Sequence, residues 1–358
     1  MKKILIVDDS ALMRRVLCDI INSDIRFRVV DMAVNGVEAF DLLSRKNYDA
    51  VVLDVHMPKM DGLQLLKELQ KFKISARILM ASSDTKEGAR VTIEALEHGA
   101  VDFVHKPDSA LACRNLKFKD DFLQTLAVVA GSGAQVAEKC RKPVTVQTVK
   151  RNLNAGRAVR NPSAGKKVVA IASSTGGPKA LQSVIPKLPP DLKAPVLVVQ
   201  HMPAGFTASL AERLDSLSRI HVKEAAEGDV LEAGNVYLSC GGMHMKVAPG
   251  AGGKYRIHYS DEPAREGVKP CANYMYESLI GSDFDEVVCV VMTGMGADGT
   301  KGIENLKAAG RKTHVIAQEE STCEVYGMPK SLVNAGLADQ ILPLEQIAQE
   351  ITLNTGVM

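Results

Sequence analysis

Over roughly its first 125 residues the chain alternates short unbroken apolar runs with stretches whose apolar residues recur at helical spacing. Ile4-Leu5-Ile6-Val7 is the first run, closed by Asp8 and Asp9, and Leu12, Val16 and Ile20 follow every four positions. Val29-Val30 is a second strand candidate, followed by a helix from about Gly36 to Leu43. Ala50-Val51-Val52-Leu53, Ile78-Leu79-Met80-Ala81 and Val101-Asp102-Phe103-Val104 mark the third, fourth and fifth strands. Continuous apolar strands separated by helices predict a parallel sheet covered on both faces.

Between about Gly131 and Lys166 this pattern lapses into glycine, proline, small and basic residues, the composition of a tether. A second strand-helix series follows. Val168-Val169-Ala170-Ile171, Val196-Leu197-Val198-Val199 and the run from Val287 to Met292 are its strands. Val236-Tyr237-Leu238 and Tyr255-Arg256-Ile257-His258 read as a β-hairpin region around the glycine-rich turn at Gly250 to Gly253. The fold class expected is α/β, with two doubly wound domains at 1–125 and 167–353 and a flexible linker at 126–166. A length of 358 residues agrees with two cores.

Composition narrows the function classes. Lys and Arg number 44 against 42 Asp and Glu, a balance that offers no field for nucleic acid or a membrane surface. The absence of Trp argues against base-stacking platforms. Seven cysteines without a C-x-x-C pair read as reduced thiols of a cytoplasmic protein. Four apolar residues before Asp8 are too few for a signal peptide, and nowhere do 18 apolar residues run together, so no membrane insertion is expected. With no exposed apolar repeat, a monomer is expected.

In a doubly wound sheet, chemistry gathers beyond the carboxyl ends of the strands. Asp8 and Asp9 end the first strand, Asp54 the third, Ser82 and Ser83 the fourth and Lys106 the fifth. Converging carboxylates need a cation, and hard oxygen ligands suit Mg²⁺ shared with a phosphate. Lys106 supplies a second positive charge, Ser82 a hydroxyl for a phosphoryl oxygen, and Asp54 is a candidate nucleophile for an aspartyl phosphate. Taken singly, each is more often an ordinary cap or loop residue, as Asp9 or Ser10 would be for the first helix.

The second half places Ser174, His201 and Asp298 at or just after the ends of three separate apolar strands, remote in sequence and adjacent on one rim. A serine hydroxyl needs an imidazole as base, and the imidazole needs a carboxylate to fix its tautomer. These roles fall to Ser174, His201 and Asp298 in that order. Backbone N–H groups near Met295 and in the 174–177 turn, which includes Thr175, are placed to hold an oxyanion, at about 3 kcal/mol each. A strand-end Ser-Thr-Gly-Gly is equally a phosphate-binding turn, so spacing alone leaves an acyl hydrolase and a nucleotide-binding module both open.

Val7-Asp8-Asp9-Ser10, Leu53-Asp54-Val55-His56-Met57-Pro58-Lys59-Met60-Asp61-Gly62 and Phe103-Val104-His105-Lys106-Pro107 resemble response-regulator receiver domains. The resemblance implies a flavodoxin-like fold and phosphoryl transfer from a chemotaxis histidine kinase to Asp54. It implies Mg²⁺ held by Asp8, Asp9, Asp54 and the carbonyl of His56, and a switch made of Ser82, Phe103 and Lys106. Ser174-Thr175-Gly176-Gly177-Pro178, Gln200-His201-Met202-Pro203-Ala204-Gly205-Phe206 and Thr293-Gly294-Met295-Gly296-Ala297-Asp298-Gly299 resemble the catalytic domain of chemotaxis protein-glutamate methylesterases. So do Met243-His244-Met245 and Tyr326-Gly327-Met328-Pro329.

That second resemblance implies a serine hydrolase without a cofactor at its own site. Its substrates would be glutamyl methyl esters of methyl-accepting chemotaxis receptors, with methanol released, and receptor glutamines deamidated to glutamates. The chain departs from the family pattern at Ala172-Ser173, Cys240 and Lys269-Pro270-Cys271-Ala272-Asn273. Cys271 and Asn273 are where substrate contacts are expected. A DNA-binding output is set aside for want of a basic helix-turn-helix pattern, and a non-catalytic adaptor because the three catalytic residue types are intact. The order of the domains leads to the expectation that the unphosphorylated receiver packs over the rim carrying Ser174, His201 and Asp298.

Overall fold

The computed structural model describes residues 1–82, 86–107, 113, 115–131 and 165–357. Most of the expected tether therefore lies outside the described residues. The first sheet is wholly parallel and contains β1 (Lys2–Val7), β2 (Phe27–Ala33), β3 (Ala50–Asp54), β4 (Ile78–Ser82) and β5 (Asp102–His105), in the order β2-β1-β3-β4-β5. Its helices are α1 (Ala11–Asn22), α2 (Gly36–Arg45), α3 (Gly62–Lys71), α4 (Lys86–Glu97) and α5 (Leu116–Gly131). Ser10 is the N-cap of α1, accepting the Met13 N–H at 3.3 Å. Strand β3 is buried at every residue, as a central strand between two helical layers must be. Helix α5 buries Leu126, Val129 and Ala130, which carries the domain to Gly131, past the boundary expected at 125.

The second half holds β6 (Lys167–Ser173), α6 (Gly177–Val184), β7 (Val196–Gln200), α7 (Phe206–Leu217), β8 (His221–Glu224), β9 (Asn235–Leu238), β10 (His244–Pro249) and β11 (Tyr255–Ser260). It continues with α8 (Ala272–Ser278), β12 (Glu286–Val291), α9 (Thr300–Ala308), β13 (Thr313–Gln318), α10 (Met328–Asn334), β14 (Gln340–Leu342) and α11 (Leu344–Thr355). Seven strands form one parallel sheet in the order β14-β13-β12-β6-β7-β9-β8. The chain order reverses at β6, which has β12 on one side and β7 on the other. That switch point is where a doubly wound sheet opens a crevice.

The expected hairpin needs correcting. Val236, Tyr237 and Leu238 belong to β9, parallel to β7 and β8, because their buried side chains need covering on both faces. The hairpin partner of β11 is β10, and the two form a separate antiparallel pair around the Gly250–Gly253 turn. The two halves touch: α4 lies along α7 and, over a shorter length, against α6.

Candidate active site

The carboxyl ends of β6, β7 and β12 meet at the switch point. Ser173 pairs with Gln200 at the β6–β7 edge, and the His201 N–H donates to Ser173 O at 3.0 Å. The Gln200 side chain stitches both strand ends together. Its Oε1 accepts the Ser173 hydroxyl at 2.7 Å, and its Nε2 donates to Ser174 O at 3.0 Å and His201 O at 3.1 Å. Ser173 is thereby fully buried and committed, whereas Ser174 is partly exposed. After Ser174 the chain turns tightly. The Gly177 N–H bonds Ser174 O at 2.7 Å, and Gly176 sits at φ 75°, the left-handed region that glycine adopts without strain.

His201 Nε2 lies 2.7 Å from Asp298 Oδ2, and both side chains are nearly closed off from solvent. The other ring nitrogen, Nδ1, is buried without a hydrogen-bond partner among the described residues. Asp298 also accepts the N–H groups of Ala272 at 2.6 Å, Asn273 at 2.9 Å and Gly299 at 2.9 Å, and the thiol of Cys271 at 3.0 Å. Burial pushes this carboxyl upward, but the bonds from His201, Cys271 and Ala272 outweigh it and hold Asp298 below its ordinary value. The site therefore keeps an anion in a dry place.

The loop that follows β12 leans directly on the serine turn. The Ser174 N–H donates to Thr293 O at 3.0 Å, and a Cβ built on Gly294 would stand 2.7 Å from Ser174 Cβ. No hydrogen bond engages the N–H groups of Thr175 and Met295 among the described residues. Cys271 and Asn273 do not face a substrate, contrary to expectation. Both are fully buried, Cys271 on Asp298 and Asn273 under the 294–302 loop, where its Oδ1 accepts Gly299 N–H at 3.1 Å and Gly302 N–H at 2.6 Å. Gln200 lies inside a motif the sequence singled out, yet no period or spacing marks it as the residue that stitches the strands.

In the first half, carboxylate oxygens of Asp8, Asp9 and Asp54 lie within 4.8 Å of one another. Lys106 Nζ bridges Asp8 Oδ2 at 2.9 Å and Asp54 Oδ1 at 2.7 Å. Burial is the main reason the Asp54 carboxyl is raised, with Lys106 opposing it. Three hard oxygen donors facing one lysine leave net negative charge, which fits a small divalent cation such as Mg²⁺. Ser82 is fully buried and its carbonyl accepts the Lys106 N–H at 2.7 Å. His56 is exposed beside this cluster in sequence.

Phe103 meets the second half. Its ring stacks on Phe206 with centroids 4.5 Å apart, and His105 meets the same ring edge-on at 6.4 Å. Glu97 takes a two-pronged bond from Arg213 at 2.7 and 2.8 Å. Asp102 accepts the Thr175 hydroxyl, although desolvation pushes its carboxyl up to about 6. The receiver-like half therefore grips the serine turn and the start of α7, five residues beyond His201.

The CheB methylesterase family model matches residues 169–351, and the response regulator receiver domain model matches residues 4–114. The protein-glutamate methylesterase/protein-glutamine glutaminase of Pyrococcus abyssi is 43% identical over 350 residues, 98% of this chain and 92% of its own length. That of Bacillus subtilis is 41% identical over 357 residues, covering 98% of both. Among solved structures, the CheB methylesterase catalytic domain of Thermotoga maritima aligns with TM-score 0.50 at 41% identity, covering 52% of this chain and 97% of its own. No described helix is long and apolar enough to cross a membrane.

Proposed function

Because the chain belongs to the CheB methylesterase family and carries a response-regulator receiver ahead of the hydrolase, we propose that Ser174, His201 and Asp298 act as one catalytic unit. The protein is a protein-glutamate methylesterase and protein-glutamine glutaminase of chemotaxis. The observation that carries the residue assignment is the 2.7 Å contact between His201 Nε2 and Asp298 Oδ2, with Nδ1 left without a hydrogen-bond partner among the described residues. Asp298 fixes the tautomer and leaves Nδ1 to take the Ser174 proton.

Ser174 Oγ then attacks the ester carbonyl, and the N–H groups of Thr175 and Met295 hold the oxyanion. The tetrahedral adduct collapses, its C–O bond to the methoxy group breaks, and Nδ1–H protonates the leaving oxygen to give methanol. Water, deprotonated by Nδ1, attacks the acyl-serine and releases the glutamate carboxylate. With a glutamine side chain the same sequence expels ammonia. Receptor glutamyl groups in the cytoplasm are the proposed substrates.

In the receiver, Asp54 is the proposed phosphoryl acceptor from a chemotaxis histidine kinase. Asp8, Asp9, Asp54 and the His56 carbonyl would hold Mg²⁺, which when bound neutralises phosphoryl charge. Lys106 and Ser82 hold the new phosphoryl oxygens, and Phe103 reports the change to Phe206. The docked receiver holds the Thr175 turn and the α7 start, so phosphorylation frees the catalytic rim by weakening that grip. The test is methanol release from methylated receptor membranes. Wild type is stimulated by a small phosphodonor with Mg²⁺, Asp54→Asn is active but unresponsive, and Ser174→Ala loses activity by a factor of about 10⁴ or more. Activity surviving in Ser174→Ala would remove the nucleophile assignment.

A further inference from the structure

The residue at 271 touches the Asp298 carboxylate through a thiol, a weak hydrogen-bond donor. Of the five donors on Asp298, three are backbone N–H groups, one is His201, and the fifth is the Cys271 thiol at 3.0 Å. Burial and the neighbouring Asp298 anion push this thiol far above its ordinary range, so it stays S–H and donates. Its backbone is fixed from the other side. The Cys271 N–H donates to His244 Nδ1 at 3.2 Å, and His244 Nε2 faces the Pro263 carbonyl at 3.2 Å. That pattern requires the neutral His244 tautomer with its proton on Nε2. His244 of the Met243-His244-Met245 motif thus reaches Asp298 through Cys271.

Asn273 adds a second constraint. The Gly299 N–H is shared between Asn273 Oδ1 at 3.1 Å and Asp298 Oδ1 at 2.9 Å. Asn273 Oδ1 and Asp298 Oδ1 are therefore near neighbours around one proton. The amide is neutral there, and its Nδ2 is used on Glu266 Oε1 at 2.8 Å. A carboxylate at 273 would put two anions around a single N–H in a buried place.

We propose that Cys271 and Asn273 are positioning residues that set how strongly Asp298 supports protonated His201: the thiol as a weak fifth donor, the amide as a neutral neighbour. The inference rests on the reading of Asp298 as the triad carboxylate. A stronger donor at 271 spreads the Asp298 charge and weakens its hold on the imidazolium. Loss of the donor, or a second anion at 273, does the reverse. The acid limb of kcat/KM reports protonation of the base in the free enzyme, and so reads this effect directly.

The experiment is the pH profile of methanol release by the full chain and by Cys271→Ser, Cys271→Val, Asn273→Asp and Asp298→Asn. Cys271→Ser moves the acid limb down and Cys271→Val moves it up, each by about 0.3 to 0.5 pH units, with KM within about twofold. Asn273→Asp moves it up by about one unit. Thermal unfolding of each variant identifies any that fail to fold, and the serine variant, the smallest change, keeps the comparison open. Coincidence of the Ser and Val limbs with wild type, in an enzyme that Asp298→Asn inactivates, overturns this proposal. Full activity in Asp298→Asn overturns the triad reading instead.

Discussion

Asp102 is an acid spent on a contact. It accepts the Thr175 hydroxyl across the two halves, and desolvation lifts its carboxyl to about 6, from an ordinary value near 4. The docked state therefore binds more protons than the undocked one. Docking gains in full from the protonated acid below the ordinary value, and that contribution fades as pH rises through about 6. Stimulation by phosphodonor is thus larger at about pH 5.5 than at about pH 7.5, because the unstimulated enzyme is more fully covered at the lower pH. In Asp102→Asn, which keeps an acceptor and cannot titrate, the ratio of stimulated to basal rate is flat across that window. A ratio that still falls with pH in the variant would assign the effect to another group.

At the scale of elements, the loop between β12 and α9 is pressed between the serine turn and α10. A Cβ on Gly294 would lie 2.4 Å from Met328 Sδ and 2.7 Å from Ser174 Cβ. Gly294→Ala therefore displaces the nucleophile or the loop. It lowers kcat by about 10² while costing about 1–3 kcal/mol of stability, read by single-turnover kinetics and urea unfolding. The parallel strands and the three strand-end residues were legible because buried parallel strands are unbroken apolar runs, and their ends are where polar residues must appear. Strand β10 was not, since its alternation of Met245 and Val247 with His244 and Lys246 lasts only four residues before Ala248-Pro249, and its partner lies across a turn. Strands β13 and β14 gave no separate signal, the latter being three residues long at a sheet edge. Cys271 and Asn273 looked like substrate contacts because their motif adjoins the site. Only the fold reveals that they point inward, at Asp298 and at the loop that carries it.

For the whole molecule, under the proposed release mechanism, docking and phosphorylation compete for one equilibrium, so whatever weakens docking raises basal activity and reduces stimulation together. The Glu97–Arg213 pair is partly exposed and is worth at most about 1 kcal/mol. Reversing one charge makes two like charges face each other. Arg213→Glu therefore raises the basal rate about three- to sixfold and lowers stimulation by a similar factor, while Glu97→Arg in the same chain restores both. Equal basal rates in all three proteins would show that α4 and α7 do not carry the coupling. The strand order has a last consequence, for the growing polypeptide. The receiver sheet uses only neighbours from the first 131 residues, so it can close while the remainder is still on the ribosome. Strand β6 must wait for β12, more than a hundred residues later, before its second edge is filled and Asp298 arrives beside His201. The receiver is thus complete before the hydrolase, and in each new chain the strand ends that carry Ser174, His201 and Asp298 come together with the receiver already folded.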